Sequence, residues 1–404
     1  MGLLKSLIGQ RLSEPPEPWF RDVFGGGMTK SSVTVDEQGA LKFSAVFACQ
    51  RVLAETLASV PVIIFRDKQP GNKSSGKDRV PDFHLYDVLK VATNDYMPAF
   101  NWKETMMHHI TGSGNAYSFI RRNRRGEVKG LDLLPWTAVD VIKDEETGAI
   151  AYRTNDRGKA VDLHFSDVFH IPGLGFDGIK GYSPVRMAME AIGLGLAAEE
   201  FGGQFFNNGA NVGGVVEYEG RMKEESKDTF RKAFQEKYAG LGKSGSVLFL
   251  ENGSKFTRLS MPNDEAQFLE TRRFQIEEIA RIYRVPMHLI QDLQRSTNNN
   301  IEHQSLEFIM YTMLPWFTRW EQMINFKLLT KRERQQGYFA EFLMLTLLRG
   351  DSKARAEMLS TMRQNGVLNA DEWRELENMN PIEGDKGKTY FVNGNMVPID
   401  RAGR

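Results

Sequence analysis

Two long helical segments bracket a small strand–helix–hairpin module, and this arrangement limits the possible folds more than anything else in the chain. The first segment, 183–208, opens on Ser183, a side chain suited to capping a helix, followed by Pro184, whose fixed φ suits a first helical position. The second, 264–284, carries Phe268, Ile276, Ile279 and Ile282 among its apolar positions and is ended by Pro286. Between them, Val215–Val216 reads as a strand and Lys223 to Tyr238 as a helix. Val247 to Leu250 is expected to pair with Phe256 to Leu259 around Asn252–Gly253, a strong hairpin signal. Two extended helices joined by so small a foot are expected to need copies of themselves packed alongside.

The first helix also contains Gly193, Gly195, Gly202 and Gly203. Each costs about 1 kcal/mol relative to alanine in a helix interior, so contacts outside the helix must offset them. Ala188, Ala191, Gly195, Ala198 and Gly202 fall on one stripe that lets another helix come close. Two readings stand: packing inside one subunit, or tight contact between identical helices in a ring.

Residues 1–33 read as a loosely held arm, punctuated by Pro15, Pro16, Pro18 and Gly25–Gly27. Residues 34–181 read as an α/β unit. Helices are expected near 44–58, 83–93 and 101–113, with a strand at Val62 to Phe65. Hairpins follow at Ala116 to Arg121 with Val128 to Leu134, and at Val139 to Ile142 with Ala149 to Arg153, then a strand at Val168 to Ile171. After Pro286 comes the polar loop Leu293 to Asn300, then a roughly 30-residue helix from near Ile301, about 45 Å long, with Asn300 as a plausible N-cap. Pro315 lies inside its apolar pattern and predicts a kink. Tyr338 to Leu348 reads as a strand. The tail from 351 reads as a helical hairpin, with Gly366 ending its first helix and Asp371 near the start of the next.

The 52 basic residues balance 52 acidic ones, so the chain lacks the basic excess typical of proteins that grip nucleic acid. Either DNA is not a partner, or it is touched without being held. Cys49 stands alone, which excludes an internal disulfide and a cysteine-based zinc site; its helical spacing with Val46, Leu53 and Leu57 makes it a core residue. The composition fits a reducing cytoplasm. Neither a secretory signal nor a membrane span is expected, although Met1–Gly2 with Ser6 matches the short myristoylation pattern.

Motifs that would carry catalysis do not assemble. Gly173, Gly175 and Gly178 match a dinucleotide fingerprint, but the following helix begins only at Ser183, too late to aim its N-terminus at a pyrophosphate. A glycine-rich joint between two units is the better reading. Gly242–Lys243–Ser244 lacks the upstream glycine and the strand–loop–helix order of a phosphate loop. The seven histidines make no metal-binding spacing, and no G-x-S-x-G elbow occurs. Arg121, Arg122, Arg124 and Arg125 cluster at a hairpin tip, as a solvated turn or as a phosphate or subunit contact.

Several stretches together resemble the portal proteins of tailed bacteriophages. They are SAVFACQRVLAETLASVPVIIFR; GNAYSFI with LDLLPWTAVDV; GYSPVRMAMEAIGLGLAAEEFGGQFFNNGANVGGVV; IARIYRVPMHLIQDLQRSTNNNIEHQSLEFIMYTMLP; and NGVLNADEWRELENMNPIEG. The likeness runs over about 35–395. It implies an α+β fold: an α/β wing at 34–181, a stem of helices 182–208 and 261–285, and a clip at 209–260. A tunnel loop at 286–300, a long helix and wing strand at 301–350 and a reduced crown at 351–404 complete it.

The resemblance further implies a ring of about twelve copies at one capsid vertex. Double-stranded DNA would pass inward through it, driven by the large terminase, and later leave. The implied partners also include capsid or scaffold proteins and head–tail adaptors, with no membrane, cofactor or catalytic role. The location would be the virion, after assembly in the host bacterial cytoplasm. On this frame Gln294, Arg295, Asn298, Asn299 and Asn300 are the expected pore-facing set. Lys223, Lys227 and Lys243 are the expected terminase-facing set on the clip, and the small-residue stripe is the expected contact between stems. A peripheral membrane protein anchored by its first eight residues, or an α/β enzyme with a scattered site, would instead lack the ring.

Overall fold

The computed structural model describes residues 29–70, 76–144, 146–156, 158–207, 214–217, 228–229, 232, 255–258, 264–291, 298–344, 347, 352–377 and 379–391. The chain divides into two compact units, Met1–Glu341 and Phe342–Arg404.

The first unit is built around α1 (Ser44–Ser59) and α3 (Ala99–Ser113), which pack on one another. Cys49 and Leu53 lie on the buried stripe of α1, and burial pushes the Cys49 thiol up to about 12. Strand β1 (Val62–Asp67) pairs antiparallel with β2 (Lys77–Arg79), an exposed strand with no apolar residue to announce it. Helix α2 (His84–Lys90) stops short of the expected 93 because Ala92–Asn94 turns into β3, paired with β4 (Met97–Pro98).

The main wing sheet has the order β10–β5–β6, from Val168–Pro172, Asn115–Arg122 and Val128–Leu134. Facing it is β7–β8–β9, from Val139–Lys143, Ile150–Asp156 and Lys159–His164. Strand β9 is missing from the sequence reading because five of its six residues are exposed, leaving no alternation to detect. Tyr117, Val139, Tyr152 and Val168 form a small core joining these two sheets.

Helices α4 (Pro184–Met187) and α5 (Met189–Asn207) replace the single helix expected over 183–208. The break is confined to Ala188, and the backbone ladder resumes at once, with Ile192 N donating to Ala188 O at 3.0 Å. Strands β11 (Gly214–Glu217) and β12 (Lys255–Arg258) pair antiparallel. The expected partner of the latter, Val247 to Leu250, lies outside the described residues, as does most of the Lys223–Tyr238 helix. Helix α6 (Asp264–Tyr283) ends where Pro286 predicts.

The long helix begins at Asn298, not near Ile301, so Asn300 is inside its first turn and is not its cap. It runs as α7 (Asn298–Glu307), a π-helical segment Phe308–Met313, and α8 (Leu314–Lys327). The irregularity expected at Pro315 therefore falls one turn upstream. Proline has no N–H and its ring crowds the carbonyl four residues before it, Tyr311. Widening the helix over 308–313 relieves that crowding, with Leu314 N reaching back five residues to Ile309 O. On the inner side, Trp320 packs edge-to-face on Trp102 at 5.5 Å, and Trp102 Nε1 donates to Ser118 Oγ at 2.8 Å. After α8, Thr330 and Glu333 form a capping box that starts α9 (Lys331–Gln335), and β13 (Tyr338–Phe342) ends well before the expected Leu348.

The second unit holds α10 (Ser352–Gln364) and α11 (Ala370–Leu376), the hairpin expected in the tail. Gly366 takes a positive φ of 69° and ends the first helix, and Asn369 with Glu372 caps the second. Arg355, 8% exposed, donates to Glu377 across the hairpin at 2.7 Å.

At the heart of the wing, His170 is 3% exposed between two sheets. Its Nδ1 lies 3.2 Å from Tyr152 Oη and its Nε2 3.1 Å from Asn115 Oδ1. Asn115 Oδ1 can only accept, so Nε2 carries the proton and Nδ1 accepts from the tyrosine. Burial, followed by the nearby Lys327 and Lys180 charges, holds the imidazole down at about 3, so it stays neutral. Between pH 6.5 and about 3 the unfolded chain binds a proton here that the folded chain refuses. This residue therefore makes stability fall with decreasing pH, by at most about 1.4 kcal/mol per pH unit. Denaturant unfolding of His170→Gln across that window should show a shallower acid slope than the parent; equal slopes would refute the assignment.

Candidate functional site

The stem leaves the wing through a joint where backbones touch with no side chain between them. Gly114 ends α3 at φ 82°, and a Cβ there would sit 2.0 Å from Tyr182 O. Gly173 N donates to Gly114 O at 2.7 Å, and a Cβ on Gly181 would lie 2.2 Å from that same carbonyl. Asn115 clamps the crossing, donating to Gly181 O and accepting from Gly181 N, both at 2.9 Å. Of the Gly173–Gly178 run, Gly173 takes part in this crossing and a Cβ on Gly175 would lie 2.0 Å from Lys180 O, whereas one on Gly178 would meet nothing within 4 Å; both sides of the run lie in the same compact unit.

Directly after the joint, Ser183 Oγ accepts from Arg186 N at 3.3 Å and donates to Gly112 O at 2.8 Å, so the helix cap also ties the stem to α3. Arg186 Nε pairs with Glu37 Oε1 at 2.8 Å, and Glu37 is 8% exposed. Further along α5, a Cβ on Gly195 would lie 2.7 Å from Phe43 Cζ, and one on Gly193 2.7 Å from Thr29 Cγ2. Of the small-residue stripe, Ala188, Gly195 and Gly202 are buried within this chain, and Ala191 and Ala198 are half-buried. The mid-helix glycines at 193 and 195 are accounted for by close packing on 29 and 43.

The second stem helix ends in a Schellman motif: Val285 N donates to Ala280 O at 2.9 Å and Arg284 N to Arg281 O at 3.1 Å. Its left-handed residue is Arg284, φ 55°, where glycine is usual. Three tertiary hydrogen bonds hold this end. Thr312 Oγ1 donates to Arg284 O at 2.7 Å, and Tyr283 Oη sits between Gln50 Nε2 at 2.9 Å and Thr111 O at 3.2 Å. Beyond Pro286 a 3₁₀ turn, Met287–Ile290, replaces the start of the expected loop, and His288 bridges to Gln304 Oε1 at 2.9 Å and Ser305 Oγ at 3.2 Å. No local signal in the sequence marks these partners, which lie 16 to 28 residues apart along the chain or further. A groove of about 620 Å³ opens between the end of α6 and the α7–π segment.

Of the expected pore-facing residues, Gln294 and Arg295 lie outside the described residues. Asn298, Asn299 and Asn300 form the first turn of α7, which shortens the expected 286–300 loop. Lys223, Lys227 and Lys243 also lie outside the described residues. The arginine cluster separates: Arg121 pairs with Asp132 at 2.9 Å and Arg122 donates to Lys327 O at 2.8 Å, while Arg124 and Arg125 are exposed. Among the described residues, no group of three or more His, Cys, Asp or Glu side chains could hold a metal ion. No described helix is long and apolar enough to cross a membrane.

The packing of Gly195 gives a test by contrast with Gly203, whose Cβ would meet nothing within 4 Å. Gly195→Ala should destabilise by about 1–3 kcal/mol, because the buried Phe43 ring cannot give way. Gly203→Ala should stabilise by up to about 1 kcal/mol. Chemical denaturation of both variants checks the pair, and a stabilised Gly195→Ala would refute this packing.

This arrangement of wing, glycine joint, two stem helices and long helix has counterparts among known proteins. The neck of an empty gene transfer agent particle matches with a TM-score of 0.60 at 19% identity, over 94% of this chain and 98% of that one. An HK97 family phage portal protein from Corynebacterium diphtheriae matches with a TM-score of 0.57 at 17% identity, over 80% and 98%. At such identities the likeness speaks for the fold. In sequence, the probable portal protein of Streptomyces phage phiC31 is 34% identical over 97% of this chain and 86% of its own length. The portal protein of Enterobacteria phage HK97 is 29% identical over 92% and 86%. The family model for phage portal protein matches residues 44–378, from the first residue of α1 to just past α11. A match that spans both stem helices and the joint leaves one assignment: the chain belongs to the phage portal protein family.

Proposed function

We propose that copies of this chain form a closed ring around a channel through which double-stranded DNA is packaged into a capsid and later ejected. The family match across residues 44–378 carries this reading. The neck of a native gene transfer agent particle, a structural neighbour with a TM-score of 0.57, was computed with C12 symmetry, in keeping with a ring of about twelve subunits. The charge balance of 52 to 52 supports a conduit, since a channel lined by many cations would hold phosphates and stall moving DNA. The reading gives the chain no catalytic step.

Within the ring, the segment from Gln294 and Arg295 to Asn298, Asn299 and Asn300 is the proposed channel lining. Its amides can touch phosphates and release them, and Arg295 is its single cation. Lys223, Lys227 and Lys243 are the proposed contacts of the clip with the large terminase motor. Capsid or scaffold proteins would surround the ring in the virion, and head–tail adaptors would join it after packaging. Ala191 and Ala198, half-buried in the isolated chain, remain available for contact between stems.

Two measurements test this in order. Light scattering of the purified chain should give the mass of a large ring; a lone monomer turning over a substrate would overturn the reading. Replacing Gln294, Asn298, Asn299 and Asn300 with lysine should leave that mass unchanged and cut packaged DNA several-fold, with the defect easing as salt weakens phosphate contacts. Normal packaging by the lysine ring would overturn the channel-lining assignment alone.

A further inference from the structure

The chain enters the described structure at a turn that fixes its direction. Thr29 N donates to Val33 O at 3.1 Å and Ser32 N to Thr29 O at 2.8 Å, and Ser32 takes a positive φ of 61°. These features define a β-hairpin with the three-residue loop Lys30–Ser32, so the segment entering at Thr29 runs antiparallel to the one leaving at Val33. The leaving segment alternates, with Thr34 and Asp36 exposed and Val35 and Glu37 buried. It follows the start of the stem in reverse. A Cβ on Gly193 would lie 2.7 Å from Thr29 Cγ2, and Lys30 N donates to Glu190 Oε2 at 3.2 Å. Further back, Glu37 Oε1 lies 3.1 Å from Ser183 Oγ and 2.8 Å from Arg186 Nε.

At the Glu37 end, two groups lack what they need. Arg186 Nη1 is buried and has no hydrogen-bond acceptor among the described residues, although native folds rarely leave such a donor unpaired. Met187 follows Arg186 and lies one turn before Glu190, both of which touch the hairpin, yet it is 53% exposed. Leu174 and Phe176 stand at the same start of the stem and are 77% and 66% exposed. Tyr182 N donates to Leu174 O at 2.7 Å, and the Phe176 and Tyr182 rings stack at 6.5 Å. One place therefore calls for both a hydrogen-bond acceptor and an apolar cover.

We propose that the N-terminal segment 19–28 of the same subunit supplies both, running as the first strand of this hairpin over Arg186 and Met187. Twenty-eight residues precede Thr29, and the turn points them back toward Ser183. Continuing the register from Thr29 opposite Val33 sets Gly27 opposite Val35 and Gly25 opposite Glu37. Gly25–Gly27 carry no side chain, so their backbone can lie close on the helix and turn a carbonyl to Arg186 Nη1. Directly upstream come Phe24, Val23, Phe20 and Trp19, the apolar cover. The reach suffices: five residues from Thr29 to Phe24 extend to about 17 Å, while Gly193 to Met187 spans about 9 Å of helix. The segment then straps the start of the stem to its own wing, whether or not copies assemble into a ring.

Cross-linking in the full chain tests the direction. Phe24→Cys is combined with Met187→Cys in one variant and with Leu194→Cys in another; Met187 and Leu194 are both exposed, and far-UV circular dichroism verifies the fold. An untethered arm hinged at Thr29 reaches Leu194, next to Gly193, at least as easily as Met187. A short bis-maleimide should couple Phe24→Cys to Met187→Cys several-fold faster than to Leu194→Cys, within one chain. Cys49 is buried and its thiol is pushed up to about 12, so it stays silent. Equal rates, faster coupling at 194, or no coupling at 187 would overturn the proposal. Covalent dimers from a mixture of the single variants Phe24→Cys and Met187→Cys would assign the arm to a neighbouring copy and overturn it as well. If a stem variant fails to fold, Gly26→Cys with Asp36→Cys decides. The register makes them a directly opposed, non-hydrogen-bonded pair, which a disulfide can bridge. Oxidation should join them several-fold faster than Gly25→Cys with Asp36→Cys, and the reverse order would overturn the register.

Discussion

The close crossing of three backbone segments at Gly114, Gly173 and Gly181 is the constraint on which the rest of the chain depends. There the end of α3, the exit of β10 and the approach to the stem meet at distances that leave no room for a Cβ. Backbone polar groups brought so close must be paired, and Asn115 pairs with both the N–H and the C=O of Gly181. Asn115 is in turn fixed by a neutral His170, and His170 by Tyr152 of the second wing sheet. The direction of the stem helix is thus set by a chain of hydrogen bonds that begins in the wing core.

The other end of the stem is held by a different device. Where α6 stops, an arginine occupies a left-handed position that glycine would fill more cheaply, and its carbonyl accepts from Thr312 in the π segment of the long helix. The π segment is the consequence of Pro315 lying inside an otherwise continuous helix. Two local irregularities, each unfavourable alone, meet at one hydrogen bond and shape the groove beside them. A few residues on, His288 ties the turn after Pro286 to Gln304 and Ser305 of α7.

Family membership and packing supply different parts of the functional reading. Family membership places the chain among phage portal proteins and supports the proposed ring. Packing shows that the inward stripe of the stem, Ala188 with Gly195 and Gly202, is already covered within one chain.

Much of the fold was written locally. The Ser183–Pro184 start, the stop at Pro286, the Gly366 break and the buried face of α1 each follow from a few adjacent residues, because caps, prolines and helical periodicity act over a single turn or two. The order of units, and with it the family resemblance, could be read from these marks alone. Tertiary structure decided what depends on distant partners. Strand β9 exists because β8 offers it an edge, although its own side chains are nearly all exposed. Arg121 and Arg122 are held by Asp132 and by the end of α8 and are half-buried, so Arg124 and Arg125 are the members of the cluster left exposed. Which of two adjacent stripes on α5 turns inward was settled by Phe43 and Thr29, residues some 150 positions away in sequence that no spacing within the helix could identify. Burial is a property of the whole assembly of elements, whereas helix ends are a property of the residues that make them.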